Sequence, residues 1–416
     1  MPVKSALTPE VEAALKALGS VDFTVGVATT DRVEDWRGAI AAAQAGLAQS
    51  YPGRSAVVLH ARTGGTAAGP VAPEGGVPVL EVAPRDPTTA GVDPRAVALR
   101  LMLEASHRLG IRGCAVLEPE AAGLTPDRVG RLLLPVVDQE QDLVTPYYLR
   151  HPCSGGITTG IVYPLVRALY GRRIRFPLGA EFACSGRLLQ RFLSREPGQP
   201  APGPQSVELR LQAEAITAAM PISQAVLEPR AMAASEGPGG LTAMLQQAVS
   251  PVFGEMERTI PVWQKVRGSL PVPVLGAIDT TAIEPPVLDP RRMIEGFRLG
   301  QRNLGEVWGL VHSPGTLVEL KRLAQMPGTG FAMPDQLWAR IVYDFSLAHH
   351  TRVMNRDHLM GALAPLYLAW LASLSTEMAG AGPEQLEDRL EQLCLRFEAE
   401  KPYLISRWRW PDRFNP

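Results

Sequence analysis

The sequence predicts an α/β protein: a mostly parallel sheet with helices on both faces, followed by a helical C-terminal region. Short apolar runs rich in β-branched residues recur at Asp22–Val27 (DFTVGV), Ser55–Leu59 (SAVVL), Val77–Val82 and Gly113–Leu117 (GCAVL). Between them lie segments of helical period at Trp36–Gln49 and Arg95–Leu109. Strands alternating with helices favour a parallel sheet, because each crossover helix packs back onto it. Beyond the Gly237–Gly240 run GPGG, read as a hinge-like break, the pattern becomes mainly helical. The expected division is therefore an α/β domain over 1–235 and a mainly helical region over 236–416.

Individual elements follow from local chemistry. The chain starts with a short helix in which Thr8 is the N-cap, Pro9 occupies the first position, and Val11, Leu15 and Leu18 form the apolar stripe. Ile40 and Leu47 face inward from the Trp36–Gln49 helix. Thr63–Gly76 is a loose Gly/Pro-rich segment, and Glu196–Ser206 (EPGQPAPGPQS) reads as a surface loop. Val207–Met220 reads as a helix and Ser223–Leu227 as a short strand. Further on, Asp335 caps a helix with Leu337, Trp338, Ile341, Val342 and Phe345 on one face. Pro383 starts another, with Leu386, Leu390, Leu393 and Phe397 at helical spacing.

Composition excludes several classes of partner. Over 416 residues the net charge is −1, so no bulk field attracts nucleic acid. No run of 18 apolar residues occurs; Leu363–Leu374 comes nearest and is too short to span a bilayer, so no membrane partner is expected. Cys114, Cys153, Cys184 and Cys394 are far apart and form no CxxC pair, which fits reduced thiols in a cytoplasmic protein and gives no zinc site. The first residues carry acidic side chains and no long apolar run, unlike a secretory leader.

The densest chemistry lies in Asp142–Phe192. A strand beginning at Leu143 and Val144 runs into Tyr147–Tyr148. Then come His151, a Gly155–Gly156 turn, Thr158 and Thr159, a helix from about Thr159 to Tyr170, and the loop Phe176–Glu181. A strand end feeding a Gly-rich turn and a helix is where open α/β sheets bind ligands. Alone, the pair of glycines needs to mean no more than a tight turn, and the arginines no more than a solvated helix end.

The segments DLVTPYYLRH, ITTGIVYPLVRALYG and PLGAEFACSG resemble the glucosylglycerate and mannosylglycerate synthase group of glycosyltransferases, which have the GT-A fold. ISQAVLEPR, LTAMLQQAVSPVFGEMERTIPVW, LWARIVYDFSLAHH, DHLMGALAPLYL and EKPYLISRWRW extend the similarity over most of the chain from Arg95 on. The resemblance implies transfer of a sugar from a nucleoside diphosphate sugar to a small hydroxy acid such as glycerate. It implies Mg2+ or Mn2+ on oxygen ligands at the diphosphate, and a carboxylate that orients or deprotonates the acceptor hydroxyl. Carried over residue by residue, Glu118 and Glu120 stand at the metal-binding DxD, Arg95 at the donor and Glu181 at the catalytic carboxylate. His151, Gly156, Thr158, Thr159 and Arg167 stand at the acceptor, with Tyr163 beside them. Helix N–H groups at Thr159 would favour a carboxylate or a phosphate. The helical C-terminal region is a candidate for pairing subunits in a homodimer.

The departures from that group are concentrated on the donor side. Glu118-Pro119-Glu120 lengthens both carboxylates by a methylene, and Pro119 fixes φ between them. The second metal ligand, a histidine in the group, aligns with Met232, whose thioether suits a hard cation poorly. His60-Ala61-Arg62 replaces the uridine-contacting aspartate region, and Asp93-Pro94-Arg95 replaces a Gly-Lys-Gly. Glu181 and Glu208 lengthen two aspartates. A second reading follows: a catalytically inactive paralogue that keeps the fold as a binding or regulatory module.

Overall fold

The computed structural model describes residues 6–30, 36–63, 76–84, 93–118, 124–148, 151–195, 206–228, 238–278 and 286–411. They form two compact units that interleave along the chain. The sheet unit comprises Met1–Leu149, Ile174–Met232 and Val272–Ile278; the helical unit comprises Arg150–Arg173, Ala233–Pro271 and Asp279–Pro416. The division is thus several crossings rather than a single cut near residue 235.

In chain order the sheet unit opens with α1 (Pro9–Leu18), β1 (Phe23–Thr30), α2 (Trp36–Ser50), β2 (Ala56–Thr63) and β3 (Val79–Val82). It continues through α3 (Pro94–Arg108), β4 (Gly113–Leu117), α4 (Asp127–Asp138) and β5 (Leu143–Tyr148). The chain then enters the helical unit for a 3-10 turn (Pro152–Gly155), a π turn (Thr158–Val162) and α5 (Tyr163–Tyr170). It returns for β6 (Phe182–Ser185), α6 (Gly186–Arg195), α7 (Ser206–Thr217) and β7 (Ile222–Leu227). After α8 (Pro238–Arg258) and α9 (Ile260–Trp263) comes β8 (Val274–Leu275), the last strand of the sheet. The helical unit closes with α10 (Pro290–Asn303), α11 (Gly305–Val311), α12 (Pro314–Gln325), α13 (Asp335–Thr351), α14 (Arg356–Glu377) and α15 (Pro383–Arg409).

Among the described residues, eight strands lie in the order β3-β2-β1-β4-β6-β5-β7-β8. All paired neighbours are parallel except β6, which runs antiparallel to both β4 and β5. Leu7, Leu15, Leu99, Met102, Leu188, Leu189, Phe192 and Leu211 fill the core on one face, brought there chiefly by α1, α3, α6 and α7. Ile40, Leu47, Val129, Leu132 and Leu133 from α2 and α4 fill the other. A sheet covered on both faces explains why its strands read as apolar runs rather than alternating patterns. The architecture is the mostly parallel α/β sheet with a helical C-terminal region that the sequence implies.

In the helical unit α10 packs on α14, α13 on α15, and both α5 and α8 on this bundle. Of the Gly237–Gly240 run, Pro238–Gly240 form the first turn of α8 rather than a hinge-like break, and Gly237 lies outside the described residues. Likewise Pro334, not Asp335, caps α13. Asp335 is the first helical residue and accepts from Arg389 Nη1 and Nη2 at 2.8 Å each. Among the described residues, α14 is long and apolar enough to cross a membrane, yet its apolar window is mostly buried within the protein.

Candidate functional site at the carboxyl edge of the sheet

From β1 the chain winds outward to β2 and β3, whereas β4 lies on the other side of β1. The carboxyl ends of β1 and β4 therefore flank a topological switch point, where open α/β sheets take ligands. Glu118 directly follows β4. Arg95 enters from the first turn of α3, whose N-cap Asp93 accepts from Ala96 N at 3.0 Å. Its guanidinium ties three segments together. Nε lies 3.4 Å from Glu118 Oε2, Nη1 lies 2.6 Å from Glu208 Oε1 in the first turn of α7, and Nη2 donates to Ala180 O at 3.3 Å. A cation at a helix N-terminus is unfavourable unless carboxylates offset the dipole. Burial works against the charged form of Arg95, but Glu208 and Glu118 more than restore it and raise its pKa.

Ala180 leads into a second ionic group. Because β6 is antiparallel, it starts where its parallel neighbours end, and Glu181, just before it, falls at this same edge. Arg128, in the first turn of α4, donates from Nη1 to Glu181 Oε1 and Oε2 at 2.9 and 2.8 Å, and from Nη2 to the Glu228 carbonyl at 3.2 Å. Tyr148, the last residue of β5, donates its hydroxyl to Glu181 Oε2 at 2.7 Å. Arg128 and Glu181 are both 0% exposed, so neither charge is shared with solvent. In the carboxyl halves of β1 and β2, Thr29 Oγ1 and His60 Nε2 lie 2.8 Å apart, and the His60 ring stacks on Trp36. Asp142, at the opposite end of β5, accepts from Ser185 Oγ and Arg187 and clips β5 to the start of α6.

Glu118, Glu181, Glu208 and Arg95, which the sequence singles out, lie at this edge together with Arg128 and Glu228, which it does not mark. Arg128 is one arginine on an apolar-periodic helix, and nothing in its spacing marks it as buried. Glu120, Pro119 and Met232 lie outside the described residues, as do residues 196–205.

The residues that the resemblance implies for the acceptor all lie in the helical unit. His151 caps a helical run that starts at Pro152 and continues through the π turn into α5. The run therefore begins earlier than the expected start near Thr159, and the N–H groups of Thr158 and Thr159 lie inside it. Nδ1 of His151 accepts from Cys153 N at 3.1 Å, so the ring proton sits on Nε2. Burial lowers the pKa of His151, which favours this neutral donor form. Gly156 is helical (φ −48°), not a turn glycine; a Cβ there would come 2.1 Å from the Tyr367 hydroxyl. Thr159 is buried and Thr158 half-buried. Arg167 is fully buried and holds α5 to α15: Nη1 and Nη2 donate to Glu391 at 2.5 and 2.8 Å, and Nε donates to Glu398 at 2.7 Å and Ser269 at 2.9 Å. The bond from Arg167 lowers the pKa of Glu391.

The same joint contains Lys401, whose Nζ donates to the carbonyls of Ala168 and Val266 at 2.5 and 3.0 Å. Burial, aided by Arg267 and opposed by Glu398, lowers its pKa to about 7. An unfolded lysine titrates near about 10.4. Between those values the unfolded chain binds the proton more than the folded one does, so stability rises with pH through that window. Urea midpoints are expected to climb from pH 7 to pH 9.5, and Lys401→Met is expected to flatten the climb. An unchanged slope in the variant would assign the effect elsewhere.

A divalent cation at the carboxyl edge needs several hard oxygen ligands converging on one point. Glu118 and Glu208 instead converge on the Arg95 guanidinium. Among the described residues, no three His, Cys, Asp or Glu side chains gather as a metal site. The described residues do not fit Mg2+ or Mn2+. A cavity of about 360 Å3 lined by Glu12, Leu15, Lys16 and Arg108 lies at the C-terminal ends of α1 and α3, the opposite edge of the sheet, and contains none of these residues.

In class, the sheet unit is a doubly covered α/β sheet with two buried ionic groups, around Arg95 and Arg128, at its carboxyl edge. In fold the chain is similar to glucosyl-3-phosphoglycerate synthase from Mycobacterium tuberculosis, crystallised in complex with phosphoglyceric acid: TM-score 0.41, 21% identity, covering 61% of this chain and 85% of that one. The same enzyme in complex with uridine diphosphate gives a TM-score of 0.38 and 21% identity over 62% of this chain and 86% of that one. Mannosyl-3-phosphoglycerate synthase from Rubrobacter xylanophilus gives 0.41 and 16%, over 62% and 79%. No protein-family profile matches the chain, and no curated protein matches it.

Proposed function

We propose that the chain is a nucleotide-sugar glycosyltransferase that moves a sugar from a nucleoside diphosphate sugar to a small hydroxy acid such as glycerate. The observation that carries this reading is Glu181: a buried carboxylate at the carboxyl edge, oriented by Arg128 and Tyr148. In this reading the donor lies at the ends of β1 and β4 with Arg95 nearest its diphosphate, and Glu181 is the carboxylate of the reaction centre. A carboxylate whose rotamer is fixed by two partners meets the need for preorganisation, since displacements of an ångström cost rate steeply. His151 Nε2–H and the hydroxyls of Thr158 and Thr159 form the anion-binding set of the helical unit, with Gly156 allowing the close packing that holds it. Arg167 has a positioning role there.

The test is calorimetric titration with a panel of nucleoside diphosphate sugars, followed by turnover with small hydroxy acids. Glu181→Gln keeps the size and the Tyr148 partner but leaves the buried Arg128 guanidinium without its counter-ion; in variant protein shown to be folded by circular dichroism, it is expected to reduce turnover by about 10²–10⁴-fold. Failure to bind any sugar nucleotide sinks the reading. A second reading, the catalytically inactive paralogue, is favoured by one observation: Arg95, Glu118 and Glu208 already neutralise one another. Donor binding without turnover for any acceptor supports that alternative.

A further inference from the structure

We propose that the carboxyl edge carries its own fixed counter-cation: Arg95 occupies the place of a divalent metal between Glu118 and Glu208, and excludes Mg2+ and Mn2+ from it. Three features support this. First, both carboxylates address the same planar group, Glu118 at 3.4 Å from Nε and Glu208 at 2.6 Å from Nη1. A fork of five donors suits two carboxylates better than a compact ammonium would. Second, the guanidinium is locked from a third side by the Ala180 carbonyl at 3.3 Å, so it cannot swing away without losing three contacts from three chain segments. Third, Glu208 is almost fully buried and Glu118 nearly so, which leaves these oxygens little room to leave the guanidinium for another cation. A metal within bonding distance of Glu118 would stand beside a fixed positive charge at low dielectric, where like charges repel strongly.

The inference concerns ion binding and holds whichever of the two functional readings is correct. If the site takes a nucleoside diphosphate, it does so with a guanidinium as the charge facing the phosphates. The group then contributes orientation and charge without any change of coordination during a reaction.

The test is titration of the full chain with Mn2+, followed by the loss of the free-ion electron paramagnetic resonance signal. The wild-type chain is expected to show no one-to-one binding. Arg95→Ala leaves Glu118 and Glu208 without their shared counter-ion and is expected to acquire one Mn2+ site. Arg95→Ala combined with Glu118→Gln is expected to lose it again, and Arg95→Lys, which keeps the charge, to remain without it. Stoichiometric Mn2+ binding by the wild type that Glu118→Gln abolishes overturns the proposal. So does a folded Arg95→Ala variant, judged by its circular dichroism and melting temperature, that gains no site. Should Arg95→Ala fail to fold, the comparison of wild type with Glu118→Gln decides the question alone.

Discussion

Replacing Arg128 with methionine is expected to lower the stability of the sheet unit by about 3–5 kcal/mol. The variant leaves Glu181 fully buried with the Tyr148 hydroxyl but without the guanidinium that bonds both its oxygens. It also removes the bond to the Glu228 carbonyl. Desolvating an ion is worthwhile only while its partner is present, so the cost comes from the stranded carboxylate more than from the lost bonds. Removing both charges, as in Arg128→Met with Glu181→Leu, is expected to restore most of the loss, because well-packed apolar pairs replace buried ion pairs at little cost. Urea unfolding of the four proteins gives the coupling directly. A loss below about 1 kcal/mol for the single variant, the range of exposed pairs, would mean that water reaches Glu181.

The second large effect is expected in the helical unit. Trp338 is fully buried, stacks on Trp370 at 5.6 Å with 14° between the planes, and donates its indole N–H to Gly160 O at 2.7 Å. Trp338→Ala is expected to cost about 3–5 kcal/mol through the cavity it leaves. Gly160 lies in the π turn, where the hydrogen-bond ladder widens and Tyr163 N reaches back to Thr158 O. A Cβ on Gly160 would come 2.2 Å from the Trp370 ring, so Gly160→Ala forces that ring to move and is expected to cost about 1–3 kcal/mol. Thermal melts followed by tryptophan fluorescence measure both. A Gly160→Ala variant that melts like the wild type would mean that the helix and the indole are not in close contact.

The elements most legible in the sequence were those dictated by local pattern. GCAVL became β4 with the expected bounds, and Pro383 starts α15 as its position before an apolar stripe requires. What escaped was set by pairing across the chain. FACS forms an antiparallel strand because β4 and β5 leave a gap for it, and four residues carry no sign of direction. The helix at Asp127–Asp138 is hard to read from local pattern, since it carries Pro135 in its interior. At the site, the positions of Glu118 and Glu181 could be read from the resemblance, but their company could not. Arg128 and Arg95 differ from the surface arginines of the chain only in what the fold brings beside them.

The interleaved division of the chain has a consequence for its manufacture. A ribosome releases residues in order, and β8 at Val274–Leu275 leaves the exit tunnel well after β7. Until then β7 stands as a bare edge, with a row of unpaired N–H and C=O groups that other nascent chains can match. A fragment cut near residue 235 would keep that edge permanently. Expression trials that trim this protein to its sheet therefore do better to carry the chain through Ile278, even though much of the added length belongs to the other unit.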